Sequence, residues 1–265
     1  TDKYDIIIIG GGPGGYVAAI RAAQLGAKVA LIEKDKVGGT CLNRGCIPTK
    51  AIIACTNLYE KIQKAENFGI NCDGRVSIDL KRVVERKNKI VEKVVKGVEF
   101  LLNKNKIELI RGTAKALEPD KVEVTKNDSS KLLVVSSKLI IATGSSPASI
   151  PGLNFDGKKF LSSDDLLDYG HVPEKLDIVG GGVIGIHFAQ IYSALGTKIT
   201  IYEALPEILP GIDEEVVEHV KRILKRRKVT TITNTRFDPA KSCGKTLISI
   251  GRTSNLSGLE DLNLK

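Results

Sequence analysis

No stretch of this 265-residue chain comes near the roughly 20 consecutive apolar residues that a membrane-spanning helix needs, and the opening Thr1-Asp2-Lys3 lacks the pattern of a secretory signal. A soluble protein is the expectation. Cysteine is sparse. Cys41, Cys46, Cys55, Cys72 and Cys243 make an odd count at irregular spacing, which excludes the framework of a small secreted domain and points to a reducing compartment. That compartment is the cytoplasm, or the mitochondrial matrix if the source is eukaryotic. No Cys or His cluster stands at metal-ligand spacing, so no metal is expected. The formal charge is +9, yet the lysines are spread along the chain without an aromatic-interleaved basic patch, which argues against a nucleic-acid partner. Methionine and tryptophan are absent altogether, and nothing in the sequence supplies a physical reason.

What is present is glycine in register. An apolar run from Tyr4 to Ile9 leads into Gly10-Gly11-Gly12-Pro13-Gly14-Gly15, an apolar-periodic segment to Leu25, Gly26, a second strand over Lys28 to Ile32, and Glu33. This is the order of a dinucleotide-binding unit. Gly10 permits the tight turn, Gly12 lets backbone approach a pyrophosphate, Gly15 lets helix pack on strand, and the acid accepts ribose hydrogen bonds. The unit recurs. Gly10, Gly12, Gly15, Gly26 and Glu33 reappear 170 residues later as Gly180, Gly182, Gly185, Gly196 and Glu203, so two dinucleotides are implied. The fold class expected is α/β with two Rossmann-like units of the three-layer ββα type, each with a β-meander.

Between the units lies Gly38-Gly39-Thr40-Cys41-Leu42-Asn43-Arg44-Gly45-Cys46-Ile47-Pro48-Thr49-Lys50. In a regular helix Cys41 and Cys46 would have Cα atoms roughly 8 to 9 Å apart, beyond the ~7 Å limit for a disulfide, so they can bridge only if the chain between them is not regular helix. Gly45 and Pro48 place a helix start near Cys46 or Ile47. Cys46 then sees the positive end of the helix dipole, with Lys50 one turn on, and should be the stabilised thiolate. Cys41, on the looser segment before the helix, is the better candidate for exchange with an external thiol. The alternatives are a pair of unreactive buried thiols or a metal site.

The string GGTCLNRGCIPTK closely resembles the redox-active disulfide segment of class I FAD-dependent pyridine nucleotide-disulfide oxidoreductases. Its Leu42-Asn43 and Ile47-Pro48 details resemble the dihydrolipoamide dehydrogenases among them more than glutathione or mercuric reductases. The resemblance implies that Cys41 is the interchange thiol and that Cys46 lies against the flavin near Lys50. Electrons would pass from dihydrolipoamide through a Cys41–Cys46 disulfide and FAD to NAD. Adjacency to the cysteines assigns FAD to the first unit, and Glu203, followed by Ala204-Leu205-Pro206 without an arginine, favours NAD over NADP in the second. FAD would be held by Gly10, Gly12, Pro13, Gly15, Glu33, Lys34, Gly39, Thr40, Lys50, Gly112-Thr113-Ala114 and Ala142-Thr143-Gly144. NAD would be held by Gly180, Gly182, Val183, Ile184, Gly185, Glu203, Gly251 and Arg252. The partners implied are dihydrolipoamide or the lipoyl domain of a 2-oxo acid dehydrogenase or glycine cleavage complex, and a second copy in a homodimer.

Elsewhere, Ile78 to about Asn103 carries an i, i+3, i+4 apolar stripe. Ile107 to Arg111, Lys121 to Val124, Leu132 to Val135 and Lys138 to Ile141 read as strands. Ser146-Pro147 to Pro151-Gly152 marks a boundary between an FAD domain, 1–147, and an NAD domain, 148–265. Asp213 to Lys228 reads as a helix capped by Asp213, and Val229 to Ile232 as a strand.

The sequence departs from the family in three places. His187 stands where the second glycine helix of the family usually carries a Glu that pairs with the lysine corresponding to Lys50. The β-hairpin expected between Arg236 and Thr246 is absent. The chain also stops at Lys265, before the interface domain and its His-Glu pair, and none of His171, His187 or His219 lies in such a motif. These departures keep open a truncated FAD/NAD-binding module without turnover, or a related disulfide or mercuric reductase.

Overall fold

The structure is a computed structural model, which describes residues 2–72, 74, 76–242 and 244–262; Cys243 lies outside them. In chain order the first elements are β1 (Asp2–Ile9), α1 (Pro13–Gln24), β2 (Val29–Glu33), α2 (Gly39–Arg44), α3 (Cys46–Gln63), α4 (Leu80–Lys104), β3 (Glu108–Glu118), β4 (Lys121–Lys126), β5 (Lys131–Ile141) and β6 (Ser145–Pro147). Then come β7 (Phe160–Leu161), α5 (Ser163–Leu167), β8 (Lys175–Val179), α6 (Val183–Ala194), β9 (Lys198–Tyr202), α7 (Glu214–Arg226), β10 (Thr230–Ile232), β11 (Lys245–Ile248) and β12 (Arg252–Ser254), the last paired with β6.

Two compact units emerge, with a break between Ser146 and Pro147 among their bounds. One comprises Thr1–Ile47, Ile90–Ser146 and Ser254–Lys265, the other Pro48–Lys89 and Pro147–Thr253. The reason is visible in the two long helices. Ile52 of α3 and Leu80 and Val83 of α4 join the core of the second unit, whereas Val95, Val98 and Leu102 further along α4 join that of the first. A helix whose stripe serves two cores cannot be assigned by a single cut in the sequence.

In the first unit β1 is central, with parallel partners β2 and β5 on its two sides. Its four isoleucines alternate between faces. Ile7 and Ile9 pack with Val122, Val124 and Val134 of the meander, while Ile8 packs with Ala19 of α1 and Val95, Val98 and Leu102 of α4. Burial on both faces is why the run is continuously apolar. The strands β3 and β5 are each 11 residues long and change partner midway. Glu108–Arg111 pairs with β2 and Gly112 onward with β4; Lys131–Val135 pairs with β4 and Val134–Ile141 with β1, the two pairings overlapping at Val134 and Val135. The five strands thereby close into a ring. The sequence suggested a break at Ser136-Ser137, but the strand runs through it. Ser136 is buried and its hydroxyl donates to the Lys138 carbonyl at 2.7 Å, which satisfies the polar group where β5 changes partner.

The second sheet has the order β10-β9-β8-β11-β7, all parallel. The expectation of a meander in each unit is therefore met only in the first. Between β10 and β11 the described residues form no strand, in keeping with the missing hairpin. The α5 helix and β7 escaped the sequence reading. Ser162 and Asp165 form a reciprocal capping box at the start of α5, a short-range signal that was there to be read. Helix α7 starts as expected, with the Asp213 side chain accepting from the Glu215 N–H at 3.0 Å.

Candidate functional site

The two glycine turns are one structure built twice. Gly10 has φ +104° and Gly180 φ +102°, a region closed to side chains, and a Cβ on either would strike the backbone, Ala142 O in one case and Ser249 O in the other. Gly12 and Gly182 precede α1 and α6 in the same extended conformation, at φ −72° and −75°. Neither helix has a side-chain cap, so their first N–H groups are left for a ligand. Gly15 and Gly185 serve close passage: a Cβ there would lie 1.7 Å from Gly10 O and 2.3 Å from Gly180 O.

The acid after each second strand has a task the sequence did not reveal. Glu33 accepts the N–H of Gly11 at 2.7 Å on one oxygen and that of Asp35 at 2.8 Å on the other. Glu203, buried, repeats this with Gly181 at 2.7 Å and Leu205 at 2.9 Å. Each carboxylate ties its glycine turn to the end of the neighbouring strand and keeps further lone pairs for other donors.

A cavity of about 380 Å³ opens at the carboxyl end of the first sheet, lined by Gly10, Glu33, Lys34, Gly112, Thr113, Ala114 and Thr143 among the expected residues. Gly12, Pro13, Gly15, Gly39, Thr40, Lys50, Ala142 and Gly144 are not in its lining. The sequence missed Asn255, which lines it and fastens the turn after β5: its amide donates to Thr143 O at 3.1 Å, its N–H bonds Gly144 O at 3.0 Å, and its carbonyl accepts from Thr143 Oγ1 at 2.7 Å. The second cavity, about 770 Å³, is lined by Gly180, Gly182, Val183, Ile184, Glu203 and Gly251 as expected, while Gly185 and Arg252 stand outside its lining. Tyr202, Thr235, Arg236 and Phe237 line it unforeseen; Tyr202 and Phe237 meet edge to face with centroids 5.2 Å apart. Only the parallel alignment of β9 and β10 brings Phe237 to Tyr202, so no local signal announces it.

The cysteine segment is docked on the first glycine turn. Gly38 donates to Gly11 O at 2.7 Å, and Gly39, at φ +55°, lies so close that a Cβ would sit 2.6 Å from the Gly12 Cα. Asn43 staples the segment, donating to Val37 O at 3.1 Å and Gly39 O at 3.0 Å. Its Oδ1 is buried with no hydrogen-bond partner among the described residues. Cys41 lies on α2, a correction to the looser segment expected, and Gly45 separates α2 from α3 at φ −144°, ψ −107°. The break satisfies the geometric condition for a bridge, and α3 begins at Cys46 as expected. Cys41 is half-buried, Cys46 exposed, and both are thiols. Lys50 is exposed one turn along α3. Within the second unit His187 feels Lys50: burial first, then the charge of Lys50, lowers the pKa of the imidazole. His187 is therefore neutral near pH 7 and supplies no counter-charge.

Each unit ends a parallel-paired strand, β1 or β8, in a glycine turn of the same form, and the segment that carries Cys41 and Cys46 is seated on the first through Gly38 and Gly39. The chain belongs to the pyridine nucleotide-disulphide oxidoreductase family, whose model matches residues 4–264. It is 38% identical over 286 residues to a dihydrolipoyl dehydrogenase of Bacillus subtilis, covering 97% of this chain and 60% of that protein. It is 39% identical over 284 residues to that of Acholeplasma laidlawii, covering 100% and 83%. Among solved structures it is similar to LpdA from Mycobacterium tuberculosis, with a TM-score of 0.88 at 25% identity over 100% of this chain and 62% of that one. It also resembles the HOCl-induced flavoprotein disulfide reductase RclA from Escherichia coli, with a TM-score of 0.84 at 27% identity over 100% and 60%. The chain thus spans about 60% of the length of the first curated relatives it matches. FAD and NAD are the cofactors of the dihydrolipoyl dehydrogenases, and the two glycine turns and the open helix ends fit them. Among the described residues no helix is long and apolar enough to cross a membrane, and no group of three metal-ligating side chains occurs.

Proposed function

We propose that this chain carries the dithiol-oxidising half of a dihydrolipoamide dehydrogenase. One substrate thiolate attacks Cys41 Sγ of a Cys41–Cys46 disulfide, the S–S bond breaks, and Cys46 leaves as thiolate. The second substrate thiol then attacks the substrate sulfur of the mixed disulfide, freeing Cys41 and closing the product disulfide. Two electrons are now held by the cysteine pair, and the two protons of the dithiol are released. FAD, which Glu33, Thr113 and Thr143 would help hold, would supply the acceptor for that electron pair, and NAD+, which Glu203 and Gly182 would help hold, would supply the final hydride acceptor. Cys46 is the first residue of α3 and Cys41 lies on the separate helix α2, so Cys46 is taken as the leaving sulfur and Cys41 as the exchanging one. Glu33 and Glu203 keep both turns in place and hold the adenosine riboses. Glu203 in the second cavity selects a free 2′-hydroxyl, hence NAD over NADP.

The observation that carries this reading is the seating of the cysteine segment on the first glycine turn, through Gly38 and Gly39. The physiological substrate would be dihydrolipoamide or a lipoyl domain, served by a homodimer. The departure at His187, which leaves Lys50 without a carboxylate, supports the alternative of a nucleotide-binding module without turnover. Purified chain, loaded with FAD, is given dihydrolipoamide and NAD+. NADH formation that Cys41→Ser and Cys46→Ser each abolish supports the enzyme, whereas flavin retention without NADH leaves the module.

A further inference from the structure

All strands of the second sheet run the same way, so its two ends differ in chemistry. The carboxyl ends border the dinucleotide cavity. At the amino ends lies another cavity, of about 440 Å³, into which Lys158, Lys159, Lys175 and Lys245 converge with Tyr169 and a single acid, Glu174. Topology makes this convergence: Lys175 opens β8, Lys245 opens β11, and Lys158 and Lys159 immediately precede β7. None of the four lysines has an ion-pair partner among the described residues. Asp156, just before β7, is turned to the backbone: its Oδ1 accepts the N–H groups of Lys158, Lys159 and Phe160, each at 2.8 Å, and it forms no ion pair with the four lysines among the described residues. Lys245 is fixed at the wall, donating to Lys158 O at 2.6 Å with its ammonium 5.8 Å from the Tyr169 ring centre.

We propose that this cavity is a second anion site, which takes a small oligophosphate such as the di- or triphosphate of a free nucleotide. Four like charges gathered around one carboxylate, that of Glu174, leave an excess of positive charge, and an anion bearing several charges relieves them together. A lone carboxylate reaches one or two ammonium groups, whereas a phosphate chain presents acceptors along its length to Lys acting as point charges. The volume lies within the roughly 300 to 1,000 Å³ usual for small-molecule sites. Lys175 stands about 13 Å along β8 from Val179, which borders the dinucleotide cavity, so the two ligands bind independently. Recognition also differs in kind: the glycine turns use backbone N–H groups, and this site uses side-chain charge.

The test is calorimetric titration of the whole chain with inorganic tripolyphosphate in the presence of saturating NAD+, repeated with Lys159→Gln/Lys175→Gln and with a short single-stranded RNA. One tripolyphosphate site is expected, weakened about tenfold or more in the double variant. Both lysines are exposed, so the variant should keep the wild-type melting temperature. No binding, equal binding to the variant, or loss of binding when NAD+ is added would each overturn the proposal, as would RNA binding more tightly with increasing length. The lysine variant reads this site whether or not NAD+ binds, which separates its failure from failure of the nucleotide assignment.

Discussion

Replacing Gly39 by alanine adds one methyl group at the point where the cysteine segment touches the first glycine turn. The backbone there is left-handed, at φ +55°, which costs an alanine about 1 kcal/mol. The new Cβ would stand 2.6 Å from the Gly12 Cα, where carbon atoms prefer about 3.5 to 4.0 Å, so the two backbones must part by about 1 Å. Backbone cannot swing aside as a side chain does, and the Gly38 N–H bond to Gly11 O, 2.7 Å long, stretches with it. Overpacking of this kind costs about 1 to 3 kcal/mol, giving about 2 to 4 in all. For a chain of this size the melting temperature should drop by roughly 5 to 15 °C, with loss of flavin on gel filtration. Gly14→Ala is the control. Nothing lies within 4 Å of its Cβ, φ is ordinary, and alanine in a helix is worth about 0.5 to 1 kcal/mol over glycine, so that variant should melt at or above the wild type. If both variants shift together, or Gly39→Ala melts within about 2 °C of wild type, the proposed docking is wrong.

Other outcomes follow from the same geometry. His187, with its pKa lowered by burial and then by Lys50, binds a proton more readily in the unfolded chain, so stability falls as pH drops below the ordinary imidazole value of about 6.5. His187→Gln should flatten that acid limb in melting temperatures taken between about pH 7.5 and 5.5, and an unchanged slope would exclude His187 as its source. Arg227 and Glu60, paired twice at 2.7 and 2.8 Å with side chains 21% and 24% exposed, should show a coupling of about 1 to 2 kcal/mol in a double-mutant cycle of urea unfolding. A coupling near zero would mean the pair is solvated. Phe237→Ala removes an aromatic wall of the second cavity and its contact with Tyr202; NAD+ binding should weaken about fivefold, with flavin content unchanged. Equal affinity would place the nucleotide elsewhere.

Local order was legible because its causes are local. A glycine turn, a helix start at Cys46, a cap at Asp213 and the stripe along α4 each depend on residues within a few positions of one another, and each appears where the pattern puts it. The repeat of five positions at a constant interval exposed two dinucleotide units before any coordinates. The meander was expected twice and found once, because resemblance carried it into a segment whose hairpin residues are missing.

Sequence alone determined the two glycine turns, the cysteine pair and the acids that follow each second strand, since these need a particular residue at a fixed spacing and nothing from afar. Tertiary structure decided which core each half of α3 and α4 serves, that Asn255 fastens the turn after β5, that Phe237 meets Tyr202, and that four lysines distant in sequence share one cavity. Those arrangements arise from strand order and register. Strand partners separated by tens of residues meet only after the sheet has formed, and no pattern within a short window of the chain encodes which of them will be neighbours.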